Sequence, residues 1–123
     1  MFDSLVTGHR SHARWGSFFK GDTGSAEQLD ACLSRYRVDA AMHFAAFIEV
    51  GESVADPQKY YANNVAGTLQ LLQALVRHGV RHVVFSSSAA VYGNPLQVPI
   101  EEGHPTRPVN PYGWTKLMVE TML

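Results

Sequence analysis

Cysteine is nearly absent: Cys32 stands alone among 123 residues, which excludes an internal disulfide and fits a reducing compartment. No His/Asn pattern surrounds it, so it reads as a small apolar residue on a helix face and not as a nucleophile. Long apolar runs are missing too. Nothing approaches the ~20 residues that a membrane span needs, and no basic-then-apolar leader opens the chain, so a cytoplasmic protein without membrane contact is expected. The formal net charge is only −1, too weak a field to gather nucleic acid. Histidine is plentiful at six, yet none falls in an H-E-x-x-H or Cys/His pairing, so no metal site is expected. Internal repeats, low-complexity stretches and interdomain linkers are absent as well. What remains is the composition of an ordinary folded core, 46% hydrophobic and 17% charged, in one small domain or a piece of a larger one.

The first twenty residues carry little pattern: residues 1–6 suit a short strand end, and residues 7–16 read as a polar loop holding Arg10, His12 and Arg14. Ser25, with Gln28 three residues later, predicts a capping box, and Leu29, Cys32, Leu33 and Tyr36 predict an amphipathic helix behind it. Residues 38–46 form a mostly continuous apolar run, expected to be a strand buried on both faces. Asp56-Pro57 predicts a helix start; Val65, Leu69, Leu72 and Val76 line one stripe of that helix, and Gly79 stands where its cap belongs. Residues 80–86 read as a second buried strand and residues 91–108 as a loop rich in turn formers. Asn110-Pro111 then opens a last helix that runs to Leu123. Helices alternating with buried strands predict an α/β fold, a parallel sheet wound through right-handed crossovers with flanking helices. Ligands in such sheets bind beyond the carboxyl ends of the strands, which singles out residues 45–52 and 86–93.

Tyr112 and Lys116 form a Y-x-x-x-K pair, and residues four apart on a helix share a face. A phenol is a poor base near neutral pH, but a neighbouring cation favours its ionised form and makes general-base chemistry feasible. The plainer reading is a surface Tyr–Lys contact. Upstream, Ser86-Ser87-Ser88 places three hydroxyls at the carboxyl end of a buried strand, where one can bond a reacting oxygen. There the plainer reading is a set of serines satisfying loose backbone groups.

Five blocks change the weight of these motifs. H-F-A-A at 43–46, V-G-E-S-V at 50–54, Y-Y-A-N-N-V-A-G-T at 60–68, S-S-S-A-A-V-Y-G at 86–93 and P-Y-G-W-T-K at 111–116 occur in order along the chain. Together they resemble the UDP-glucose 4-epimerases of the extended short-chain dehydrogenase/reductase family, over nearly all of residues 2–123. The resemblance implies a Rossmann-type sheet, NAD as cofactor and a UDP-sugar as substrate. It implies that Tyr112 takes the proton of the sugar 4-hydroxyl, that Lys116 assists it and holds the nicotinamide ribose, and that Ser88 bonds the reacting oxygen. It implies Asn63 as a cofactor contact, Asp22 and Thr23 beside the adenine, and Phe44, Ala45, Ala46 and Phe47 as a backbone cradle. Asp3 matches the acidic residue that holds the adenosine ribose, a preference for NAD over NADP.

The resemblance also has gaps. Sugar-nucleotide 4,6-dehydratases of the same family place Asp-Glu after the strand-end hydroxyl, where this chain has Ala89 and Ala90, so epimerisation is expected over dehydration. The family opens with a strand and a G-x-x-G-x-x-G turn that brings backbone N–H groups to a pyrophosphate, whereas Gly8, Gly16, Gly21 and Gly24 have the wrong spacing. Ile48 replaces a lysine that well-known members carry. The expectation is a partial Rossmann-type domain over residues 1–123, lacking the first strand, Gly-rich turn and helix and the C-terminal substrate domain. A truncated epimerase, a non-catalytic remnant or partner-binding module, and an epimerase of another UDP-sugar all stay open. Intact relatives dimerise through two helices, here those starting at Asp56 and Pro111, so exposed apolar residues are expected on both.

Overall fold

The computed structural model describes residues 1–123, and two short parallel ribbons organise it. Strand β1 (Phe2–Asp3) pairs with β2 (Phe19–Lys20), and β3 (Ala40–His43) pairs with β4 (His82–Phe85) in the register Ala40↔His82 to His43↔Phe85. Parallel neighbours need long crossovers. Helix α1 (Ala26–Arg35) lies between β2 and β3. A helical stretch made of α2 (Val50–Ala55), α3 (Pro57–Tyr60), a π-type segment (Tyr61–Ala66) and α4 (Gly67–Arg77) lies between β3 and β4. After β4 come a single 3₁₀ turn (Ala89–Tyr92), a loop, and α5 (Pro111–Met122). The α/β class and parallel pairing are those expected, while β2, α2 and the 3₁₀ turns at Arg10–His12 and Ala89–Tyr92 are additions.

The helix ends follow their local chemistry. Ser25 Oγ accepts the Gln28 N–H at 3.4 Å, but the Gln28 side chain turns away to accept from the Asp22 N–H at 2.8 Å. Only half of the expected capping box therefore forms, because the preceding turn, closed by Asp22 on the Gly24 N–H at 2.7 Å, claims the glutamine. Asp56 caps α3 through the Lys59 N–H, with Pro57 in the first turn, and Asn110 caps α5 through the Gly113 N–H. Helix α4 ends at Gly79, whose φ of 73° lets Val80 N–H reach the Leu75 carbonyl at 2.9 Å and Gly79 N–H the Val76 carbonyl at 3.1 Å.

One burial expectation needs correction. The strands are not buried on both faces: Met42 is 66% exposed and Val84 55%, while His43 is buried. Within these residues the β3–β4 ribbon is packed on one face only, so its side chains alternate in and out. The face of this helix turned to the core carries Tyr60, Asn64, Gly67, Thr68, Ala74 and Leu75, all buried, leaving Leu69 of the apolar stripe exposed and Val76 77% exposed. The six residues of π geometry rotate the later turns relative to a straight 3.6-residue repeat, and polar Asn64 and Thr68 take inward places that an apolar pattern passes over. Exposed Leu69 and Val76 on α4, with Met118 on α5, are the apolar surface expected on those two helices.

Candidate active site

A cleft of about 1060 Å³ opens between the ribbons, bounded by β1 on one side and β3 on the other. Asp3, Asp22, Thr23, Phe44, Ala45, Ala46, Phe47 and Asn63 all line it, so eight residues named from sequence share one wall system. Its floor is apolar, with Leu29 and Leu33 of α1 and Leu71 and Leu75 of α4. Asp3 is fixed by the Leu5 N–H at 2.7 Å from Oδ1, and Gly8 leaves room for the carboxylate, since a Cβ there would lie 3.0 Å from Oδ1. Thr23 rests against the start of α4, where a Cβ on Gly67 would lie 3.0 Å from its hydroxyl oxygen.

Tyr112, Lys116 and Ser88 do not line this cleft; Lys116 reaches the Ser86 carbonyl past the end of β4, and the turn that Ser88 opens packs on α5. Tyr112 and Lys116 are both buried on α5, and the Lys116 ammonium lies 5.9 Å from the Tyr112 ring centroid. That ammonium, 3% exposed as a residue, donates to the Ser86 carbonyl at 2.8 Å, and burial holds it below the ordinary lysine range. Ser88 Oγ accepts the Ala90 N–H at 3.2 Å and so opens the 3₁₀ turn, while Ser87 donates to the Glu120 carboxylate. The turn lies hard against α5: a Cβ on Gly113 would meet the Ala90 carbonyl oxygen at 2.6 Å. Gly113→Ala is therefore expected to push the serine turn away from Tyr112 and to lower stability by about 1–3 kcal/mol, measured by thermal or urea unfolding.

The residue that joins cleft and helix is one the sequence reading passed over. Asn64, 2% exposed, accepts the Phe47 N–H at 2.9 Å, donates to the Phe47 carbonyl at 3.0 Å and donates to Thr115 Oγ1 at 3.2 Å. Its neighbour Asn63, the one singled out from sequence, donates to Asn64 Oδ1 at 2.8 Å. Ser53, fully buried, adds a second tie by accepting the Tyr112 N–H at 3.2 Å. Two adjacent asparagines in a helix are visible in the sequence, but which one turns inward depends on the π segment around them.

The electrostatics of His43 are strongly perturbed. Its Nε2 lies 2.7 Å from Thr68 Oγ1, and that hydroxyl already donates to the Asn64 carbonyl at 2.6 Å, so the imidazole is the donor. Burial, with Lys116 nearby, lowers its pKa from 6.5 to about 4. The unfolded chain thus binds a proton that the folded chain refuses, and stability falls as pH drops from about 6.5 to about 4. The loss is of order 3 kcal/mol, expected as a declining urea midpoint across that window and largely absent in His43→Gln.

Comparison with known proteins bears on this arrangement. The sequence model of the family described as GDP-mannose 4,6 dehydratase matches residues 3–123. The chain belongs to the GDP-mannose 4,6-dehydratase family. Among similar relatives, the UDP-glucose 4-epimerase of Rhizobium leguminosarum bv. trifolii is 49% identical over the whole chain, which covers 38% of that protein. The crystal structure of UDP-glucose 4-epimerase from Brucella ovis in complex with NAD superposes with a TM-score of 0.97 at 50% identity, covering 99% of this chain and 38% of that one. The enzyme of the same name from Bifidobacterium longum, in complex with NAD+ and UDP, gives 0.85 at 40% identity, covering 89% and 33%. The chain thus spans under two fifths of the length of these relatives. Membership of the GDP-mannose 4,6-dehydratase family sets the Rossmann-type lineage. Positions 89 and 90 are alanines, whose methyl side chains carry neither an acid nor a base.

Proposed function

We propose that residues 1–123 are the proton-handling part of a UDP-glucose 4-epimerase, a partial NAD-binding domain whose sugar-closing portion lies outside them. The observation that carries this reading is the Tyr112–Lys116 pair on α5, packed past the end of β4 beside a Ser88 turn that continues into alanines. When bound, NAD would supply a hydride acceptor that returns what it takes, so the sugar is inverted at C4 without net oxidation. Tyr112 removes the 4-hydroxyl proton and later gives it back. Lys116 keeps a positive charge beside the phenol, which favours the ionised form. Ser88 bonds the sugar oxygen and orients it toward Tyr112.

The residues present suit part of a dinucleotide. Asp3, its carboxylate fixed by Leu5 N–H, would hold ribose hydroxyls, Asp22 and Thr23 would lie beside the adenine, and Phe44 to Phe47 with Asn63 would offer backbone and amide groups toward the pyrophosphate and nicotinamide. No G-x-x-G-x-x-G turn occurs in the sequence to grip the pyrophosphate. The second reading is a remnant that keeps the site without turning over. Which UDP-sugar is taken stays part of the proposal, since the epimerase name comes from relatives. The test is UDP-galactose conversion by the purified chain with added NAD. Conversion sinks the remnant reading; a chain that neither binds NAD nor converts the sugar sinks the epimerase reading for these residues.

We further propose a cytoplasmic homodimer that packs α4 and α5 of two copies together. Exposed Leu69, Val76 and Met118 support the dimer, and no helix is long and apolar enough to cross a membrane. Sedimentation is expected to show concentration-dependent association that Val76→Lys removes.

A further inference from the structure

A buried ammonium must be compensated, and Tyr112 does little of this for Lys116 at 5.9 Å from the ring centroid. The two groups that do compensate it are consecutive residues at the end of β4. The Ser86 carbonyl accepts from Nζ at 2.8 Å, and the face of Phe85 lies 4.8 Å from Nζ. Ser86 N–H closes the strand pairing on the His43 carbonyl at 3.1 Å, so its own carbonyl is left to receive the lysine. Phe85 is itself fixed from below. It pairs with His43 across the ribbon, their rings 5.7 Å apart and inclined by 28°, and His43 is anchored on Thr68.

We propose that Phe85 is a positioning residue of this site, its ring face and the Ser86 carbonyl together fixing the Lys116 ammonium one helical turn from Tyr112. The catalytic meaning of this rests on the epimerase reading, whereas the contact itself does not. An aliphatic residue of similar size would fill the same half-buried place at the strand end. It would lack the negative ring face that attracts a cation, a contribution that grows as water is excluded. With that face removed, burial drives the amine toward its neutral form, which gives a neighbouring phenol no help. The other titratable groups around the ammonium are His43 on β3, kept neutral by burial, and Glu120 on α5, whose carboxylate is taken by Ser87.

The chain has three lysines, Lys20, Lys59 and Lys116, so ¹³Cε labelling gives a spectrum in which each titration is read separately. Replacing Phe85 by its 4-fluoro, 3,5-difluoro and pentafluoro analogues keeps the ring shape while weakening and then reversing the ring's attraction for cations. The expected result is a stepwise fall in the Lys116 titration midpoint, about half a unit to one unit at the pentafluoro ring, with Lys20 and Lys59 unmoved. Phe85→Leu should lower it similarly and Phe85→Tyr should restore it. If Phe85→Leu unfolds, the isosteric fluorinated series still decides. Where the chain converts UDP-galactose, the alkaline shift of its pH–rate profile should follow the same series. A stepwise fall in a chain that converts no sugar supports the positioning role and sinks the reaction. An unmoved midpoint in a chain that does convert overturns the positioning role and leaves the reaction standing.

Discussion

Tyr112→Phe is expected to lower UDP-galactose conversion by about 10²–10⁴-fold, the range a positioned proton-transfer group contributes, while leaving thermal stability within about 0.5 kcal/mol of the parent. The asymmetry follows from the contacts. Tyr112 is tied into the fold through its backbone, with its N–H on Ser53 Oγ at 3.2 Å and its carbonyl accepting from Thr115 Oγ1 at 2.7 Å. The hydroxyl takes part in neither bond. Lys116→Met gives the sharper contrast, because it removes a charge that is 3% exposed and keeps the volume. Burying an ammonium is costly, and an apolar replacement of similar size is often neutral or stabilising, so this variant should be inactive and more stable by about 1 kcal/mol. Paired activity assays and urea melts check both variants. A Lys116→Met chain that loses stability would mean that the lysine is a structural tie and not a residue held at a cost to the fold.

Gly93→Ala is expected to be the most damaging single change to the fold. Gly93 ends the 3₁₀ turn with φ 64° and ψ −127°, a conformation that costs a side-chain-bearing residue about 1–3 kcal/mol in strain alone. A Cβ there would also lie 2.0 Å from the Arg107 carbonyl oxygen, which is backbone and cannot rotate aside. Relief requires the loop over residues 94–107 to lift away, and with it His104, whose Nε2 accepts the Leu96 N–H at 2.9 Å and whose ring packs edge-on against Tyr92 at 5.5 Å. A loss above about 4 kcal/mol is expected, enough to unfold a domain of ordinary marginal stability. Circular dichroism and urea titration of the purified variant measure it. A melt within about 1 kcal/mol of the parent would show that the loop detaches freely.

Much of the architecture was legible because its signals are local. Ser25, Asp56-Pro57, Gly79 and Asn110-Pro111 mark helix ends through contacts within a few residues, and each acts at the place expected. The Y-x-x-x-K spacing likewise needs only helical geometry to bring Tyr112 and Lys116 together. Burial has the opposite origin. Whether Leu69 or Thr68 faces inward depends on a π segment whose register is set by Asn64 bonding to Phe47 and Thr115, contacts 17 and 51 residues away. Met42 and Val84 are as apolar as any strand-core residue, and their exposure belongs to residues 1–123 alone, which span under two fifths of the length of their relatives.

The sequence by itself determined the α/β alternation, the caps, and the proximity of a phenol to an ammonium, since each depends on backbone preferences and spacing along one element. Tertiary structure alone decided what surrounds that ammonium. A ring from one strand residue and a carbonyl from the next meet a lysine 30 residues further on, and Asn64 ties the cleft loop to the same helix. The physical reason is that solvation of a buried charge depends on which groups are near it in space, and chain spacing carries no record of that.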